Sequence, residues 1–268
     1  MSEATLEARC EDLGVLTCTL DEGIAARAAI GLLVLATDQT MEHEFRHLLQ
    51  LPGVGPGVGP GVGLYVARLH NDAAITPETL RAIAPRIAPA TALILPALRL
   101  DVVAFGCTSA SMTLGEAAVF REIHKARPEV RCTTPVTAAF AAFRALGAER
   151  IGVLTPYAAA VNRTVREYLE AHGTAVAAFA TFDKPDDREA ARIDLGSIRE
   201  GIKALCRTRA LDCVFVSCTS LRLAEIVEEV EAETGIAVTS SDHALAWHAL
   251  RLAGIGEAVP GAGRLFTL

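Results

Sequence analysis

The sequence predicts an α/β protein of parallel sheets, built from two halves that repeat one another. Three observations carry this. Short apolar runs alternate with helical stretches along the chain, the pattern of a parallel sheet with crossover helices. The runs are continuously apolar, as in strands buried on both faces. One string also occurs twice, as Asp101-Val-Val-Ala-Phe-Gly-Cys107-Thr108-Ser109 and as Asp212-Cys-Val-Phe-Val-Ser-Cys218-Thr219-Ser220.

Taken in order, residues 1–28 are mixed and acidic and read as a tail. The first strand is Ile30 to Ala36. Asp38 or Thr40 caps a helix from Met41 to Leu49. Pro52-Gly-Val-Gly, Pro56-Gly-Val-Gly and Pro60-Gly-Val-Gly are tandem copies of a turn-forming unit, which reads as a lengthened surface loop. Gly63 to Leu69 is a strand. Thr76 caps a helix with Pro77 in its first position and Glu78 in its first turn. Thr79 stands where a capping box would have Glu or Gln, so no full box is expected. That helix runs towards Ala88, and another spans Pro89 to Leu98. Asp101 to Phe105 is a strand, followed by a helix from Leu114 to Ala126, a short strand from Val130 to Thr133 and a helix to Leu146.

The order then restarts. Arg150 to Thr155 is a strand, Val161 to His172 a helix and Ala175 to Phe182 a strand. Helices follow at Asp186 to Ala191 and Ser197 to Arg207. Asp212 to Ser217 is a strand, Leu221 to Glu233 a helix with Glu228, Glu229 and Glu231 facing solvent, and Ile236 to Thr239 a strand. Ser240, Ser241 or Asp242 caps a last helix through Leu252, and Gly254 ends it. The spacing from Gly31 to Cys107 nearly matches that from Gly152 to Cys218 once two glycine-rich units are removed, which supports an internal duplication.

Composition narrows the function. The 268 residues carry a net charge of −7, without a run of Lys and Arg, so nucleic acid is not an expected partner. No apolar stretch approaches the about 20 residues of a membrane span. The acidic start lacks the basic-then-apolar order of a secretory signal, so a cytoplasmic location is expected. The seven cysteines are irregularly spaced and form no C-x-x-C pair, which supports neither a disulfide framework nor a zinc site. His243 and His248 do not share a helix face as metal ligands would. No metal is expected.

Taken singly, each cysteine reads as a small buried hydrophobe. Cys107 and Cys218 differ from the others because each ends a buried strand, where open α/β sheets bind ligands. Each is expected to stand at a helix N-terminus, which favours the thiolate. Backbone N–H groups and hydroxyls of Thr108, Ser109, Thr219 and Ser220 are placed to hold a carboxylate or an enediolate oxygen. With the halves face to face, one thiol removes a proton from a substrate carbon and the other returns one on the opposite face. That is racemisation or epimerisation without a cofactor.

These residues, with Val-Leu-Thr-Pro-Tyr157, Val161-Asn162 and Ser240-Ser-Asp-His-Ala-Leu-Ala-Trp247-His248, resemble the aspartate/glutamate racemase superfamily. Within it they are most similar to the branch of maleate cis-trans isomerase and arylmalonate decarboxylase. The opening Gly31-Leu-Leu-Val-Leu-Ala-Thr-Asp38-Gln-Thr40 is similar to ectoine-utilisation proteins of that branch. The resemblance spans about residues 30–254. It implies two similar Rossmann-like domains with four-stranded parallel sheets, related by a pseudo-two-fold, with the active site in the cleft between them. The first is expected at 29–134 plus 239–268 and the second at 135–238, the last helix crossing back onto the first.

It further implies Cys107 and Cys218 as the catalytic pair, and Asp38, Thr108, Ser109, Tyr157, Asn162, Thr219 and Ser220 as substrate-binding residues. A homo-oligomer, dimer or tetramer, is the expected assembly. Both thiols together argue against a dedicated decarboxylase, which keeps only the second. Asp38 stands where maleate isomerase has Asn. It either suits a substrate ammonium over a second carboxylate, or simply caps its helix. Arg222 is expected at the surface. The expected activity is isomerisation of a small, amino-acid-like carboxylate. The alternatives are maleate-type isomerisation through a covalent thiol adduct and a non-catalytic carboxylate-binding protein.

Overall fold

The computed structural model describes residues 13–50, 61–72, 76–184 and 186–268. In the first half the order is β1 (Ala28–Leu35), α1 (Met41–Gln50), β2 (Val62–Leu69), α2 (Pro77–Arg81), α3 (Ala84–Ala92), β3 (Val102–Gly106), α4 (Thr108–Leu114), α5 (Glu116–Ala126), β4 (Arg131–Thr133) and α6 (Pro135–Leu146). The second half runs β5 (Arg150–Thr155), α7 (Ala159–Ala171), β6 (Ala175–Thr181), α8 (Asp187–Ala190), α9 (Leu195–Thr208), β7 (Cys213–Val216), α10 (Val227–Thr234) and β8 (Ala237–Ser240). Helix α11 (Ser241–Leu252) and a 3₁₀ turn at Arg264–Thr267 follow.

The strands form two four-stranded parallel sheets of identical order, β2-β1-β3-β4 and β6-β5-β7-β8. In each, the chain winds outward in opposite directions from the two central strands. The crevice at the C-terminal ends of those strands is the ligand-binding point of an open α/β sheet. The loops after β1 and β3 lie at one such point, and those after β5 and β7 at the other. Cys107 and Cys218 therefore occupy equivalent places.

The leading aspartate of each repeated string has the same structural job. An Asp101 carboxylate oxygen accepts the Ala29 N–H at 2.8 Å, and an Asp212 oxygen accepts the Arg150 N–H at 2.8 Å. Each pins the start of one central strand to its neighbour, which fixes the register that places the thiol. The strings differ at the residue before the thiol. A Cβ on Gly106 would meet the Met41 sulfur and come within 2.8 Å of the Leu33 carbonyl, whereas Ser217 is accommodated in the second half. Gly106→Ser is expected to destabilise the fold by about 1–3 kcal/mol through overpacking, read as a lowered midpoint in urea.

The last helix leaves the second sheet and buries Leu245, Ala249 and Leu250 in one core with Ile30, Leu32, Phe45 and Leu48 of the first half. The return begins at Ser241, because Val238, Thr239 and Ser240 still pair with β7. The boundary expected at 239 thus falls inside β8. Ser240 caps α11 by accepting the His243 N–H at 3.1 Å. No described helix is long and apolar enough to cross a membrane.

Several expected elements are corrected. The first strand begins at Ala28, just inside the span assigned to the tail. The segment before it carries exposed Leu13, Val15, Leu16, Leu20 and Ile24. Much of the Pro-Gly-Val-Gly repeat lies outside the described residues, and its last Val62 and Gly63 open β2. Thr79 completes a capping box at Thr76 with its hydroxyl, which accepts the Thr76 N–H at 3.0 Å. The helical break falls at Ala82–Ile83, ahead of Pro85, and Pro89 sits inside α3. A helix begins directly after Cys107, and Gly115, at φ +80°, ends it before α5. No helix follows Cys218 directly, since α10 starts only at Val227. Glu231 is buried and accepts the Val238 and Arg264 N–H groups, each at 2.8 Å.

Candidate active site

Cys107 is both the last residue before α4 and its N-cap. Its sulfur accepts the Ala110 N–H at 3.4 Å and lies 3.6 Å from the Ser109 hydroxyl. The first N–H groups of α4 have no partner within the helix and face the same end. The Thr108 hydroxyl donates to Ser241 at 2.8 Å, which ties this loop to the returning helix.

Cys218 lies in a non-helical loop that the first half holds. Thr40 donates to the Thr219 carbonyl at 2.7 Å, and one Glu44 oxygen accepts the Leu223 and Ala224 N–H groups, each at 2.9 Å. The Cys218 sulfur accepts the Ser220 N–H at 3.3 Å, and the Tyr157 hydroxyl beside it favours the thiolate. Asn162 fixes the Tyr157 loop by donating to its carbonyl at 2.6 Å while accepting from Thr155 at 2.5 Å.

One pocket of about 410 Å³, its open mouth included, is lined by Cys107, Thr108 and Ser109 from the first half and by Tyr157, Cys218 and Thr219 from the second. The predicted residues Asp38, Asn162 and Ser220 do not line it. Asp38 lies behind, where one oxygen accepts the Thr40 and Met41 N–H groups at 3.0 and 2.9 Å as the cap of α1. An apolar pocket containing Met112, Val161 and Val165 shares the Ser109 and Leu80 walls. Arg222 is half-buried and donates to the Ile193 carbonyl at 3.3 Å, so it is not the surface side chain expected.

The pocket also contains Asp187, which the sequence reading assigned only to a helix. Its two oxygens accept from Thr37 and Ser220, each at 2.9 Å, one hydroxyl from each half. Asn71, another lining residue, donates to the Thr37 hydroxyl at 2.9 Å. The signal that finds Asp187 is the sheet rule that found the thiols: it follows β6, at the same C-terminal edge.

Burial dominates the electrostatics. It pushes the Cys107 thiol up to about 11, outweighing the Ala110 N–H and Ser109 hydroxyl that favour the thiolate. Cys218 is likewise pushed up by burial and then by Asp187, against Tyr157 and Ser220. Tyr157 is raised well above its ordinary value by burial, then by the Cys218 charge, and stays a hydrogen-bond donor. Their surroundings therefore favour the neutral form of both thiols. The expected thiolate-favouring helix end is present at one thiol only, and burial overrides it there. Among the described residues no cluster of His, Cys, Asp or Glu could hold a metal ion.

The sequence pattern of the family described as arylmalonate decarboxylase matches residues 60–266, most of the chain. The chain belongs to the arylmalonate decarboxylase family. Its relatives in that family include a maleate isomerase of Nocardia farcinica, 28% identical over 88% of this chain and 94% of the relative. A cysteine-to-serine mutant of the maleate cis-trans isomerase from that organism has been solved with a covalently bound succinylcysteine intermediate. It superposes with a TM-score of 0.77 at 27% identity, over 90% of this chain and 98% of that one. The maleate isomerase Iso of Pseudomonas putida S16 shares the fold with a TM-score of 0.81 at 24% identity, over 90% and 98%. The relatives of this chain thus include isomerases and a decarboxylase, with a cysteine adduct seen in one of the isomerases.

Proposed function

We propose that this arylmalonate decarboxylase family member is a cofactor-independent isomerase that inverts the α-carbon of a small, amino-acid-like carboxylate. The observation that carries the reading is the pocket lined by two thiols from equivalent strand ends of the two halves. Cys107 and Cys218 are the acid and base. One takes the α-proton as thiolate while the other, as thiol, delivers a proton to the opposite face. The N–H groups of Thr108, Ser109 and Thr219, with the Ser109 and Thr219 hydroxyls, hold the substrate carboxylate and the charge that develops on it. Tyr157 orients the Cys218 thiol through its hydroxyl. Asp38, Asn162 and Ser220 support the loops that carry these groups. The protein acts in the cytoplasm as a homo-oligomer. The similarity of the opening segment to ectoine-utilisation proteins makes diaminobutyrates the first substrates to try.

A second reading is maleate cis-trans isomerisation. The succinylcysteine intermediate of the Nocardia farcinica relative supports it. In that reading one thiolate adds to an alkene carbon while the other carbon takes a proton from the second thiol, rotation follows about the resulting single bond, and removal of that proton re-forms the double bond and expels the thiolate. The experiment that separates the two offers the enzyme amino acids and maleate side by side. Inversion is followed by polarimetry and maleate by its vinyl proton resonance. Inversion of at least one amino acid with no fumarate formed is the expected result. Fumarate without inversion of any amino acid overturns the proposal in favour of the second reading.

A further inference from the structure

Asp187 has no role in the proton transfers just described, yet it lies in the pocket with both thiols. Its negative charge disfavours ionisation of Cys107 and of Cys218 alike. A carboxylate so placed works against the chemistry unless something positive joins it. Among the described residues lining the pocket there is no Lys or Arg to do so, and Asp72 adds a further carboxylate. Asp187 is also held in place. Thr37 from the first half and Ser220 from the second each donate to one of its oxygens at 2.9 Å, and Asn71 secures Thr37. Each oxygen accepts one hydrogen bond in this arrangement and retains a lone pair for another donor.

We propose that Asp187 is the specificity-determining residue of this site and receives the ammonium group of an α-amino carboxylate. This rests on, and sharpens, the substrate class proposed above. The substrate carboxylate goes to the donors at Thr108, Ser109 and Thr219, and the ammonium to Asp187. The ion pair cancels the charge that opposes thiolate formation, so the correct substrate eases ionisation of the thiol that will attack it. A dicarboxylate sets its second carboxylate against Asp187 and pays a like-charge penalty.

The test is binding, so it does not depend on turnover. Isothermal titration compares alanine with lactate, 2-aminobutyrate with 2-hydroxybutyrate, and aspartate with malate, on the parent and on Asp187→Asn. In the parent at least one amine is expected to bind about 10- to 100-fold tighter than its hydroxy counterpart, the worth of a charge-assisted hydrogen bond. Asp187→Asn is expected to erase that margin while leaving the hydroxy acid within a few-fold, and to improve binding of maleate. A parent that binds no amine better than its hydroxy counterpart overturns the proposal, and needs no variant. So does a variant that weakens both members of a pair equally. Amine-selective binding without inversion would leave this inference standing and remove the isomerase reading alone.

Discussion

Cys107→Ser and Cys218→Ser are each expected to lower the rate of inversion by about 10³-fold, the loss of one positioned acid–base group. Serine keeps the size of the side chain, and the N–H groups of Ala110 and Ser220 still find an acceptor there. The fold should therefore survive, and the loss should be chemical. The two variants should also fail differently. Each retains the thiol on one face, so each should still exchange the α-hydrogen of one enantiomer with deuterated solvent, and of the opposite enantiomer in the other variant. Proton NMR of each enantiomer with each variant reads this directly. Exchange of the same enantiomer by both variants would mean that the thiols do not stand on opposite faces.

The second large effect concerns stability. Glu44 is fully buried, and one of its oxygens has no partner among the described residues. Burial raises its carboxyl from 4.5 to about 7, against the Leu223 and Ala224 N–H groups that favour the charged form. Asp38 is raised by burial to about 6. Asp242, whose two oxygens both lack partners among the described residues, is raised well above its ordinary value by burial and then by the charges of Asp38 and Glu44. Between its ordinary and its raised value, each group holds a proton in the folded chain that the unfolded chain has released. Its contribution to stability is therefore greatest below the ordinary value and is lost as pH climbs to the raised one. For Glu44 that window runs from about 4.5 to about 7, and the loss across it is about 3 kcal/mol. Glu44→Gln resembles the protonated side chain and keeps an oxygen for Leu223 and Ala224. Urea unfolding from pH 5 to 8 should show the parent weakening and the variant following a flatter curve. Identical slopes would remove Glu44 as the cause.

The features that the sequence made legible share one property: they repeat, or they follow from local chemistry. The doubled Asp-to-Ser string predicted equivalent strands, and the strands came out in two sheets of one order. Continuous apolar runs located the central strands β1, β3 and β7, which are buried throughout, because burial on both faces leaves no other composition. Gly115 and Glu231 were not legible in the same way. A glycine inside a helical stretch is silent until its φ is known, and a glutamate on an acidic helix looks solvated until the two backbone N–H groups it meets are seen.

Asp187 escaped for a related reason. It sits in a charged run, Asp186-Asp187-Arg188-Glu189, where nothing marks one carboxylate as facing a pocket. Its place after β6 puts the run at the right sheet edge, but what separates Asp187 from its neighbours is the approach of Ser220 and of Thr37, the latter from the other half. The helix forecast from Leu221 begins only at Val227, because Glu44, again from the other half, satisfies the N–H groups of Leu223 and Ala224 without a helical turn. Cross-half contacts are what a linear reading lacks, and here they shape the pocket.

The central claim is that two thiols act from opposite faces of one carbon. Its most direct test is inversion of a single enantiomer in deuterated water, sampled before a tenth of it has reacted. With two bases the proton returned comes from the second thiol, which has equilibrated with solvent. The product enantiomer should therefore carry deuterium at the α-carbon while the remaining substrate stays protonated. Product that retains the substrate's own hydrogen would mean that one group both removes and returns it, and would contradict the account.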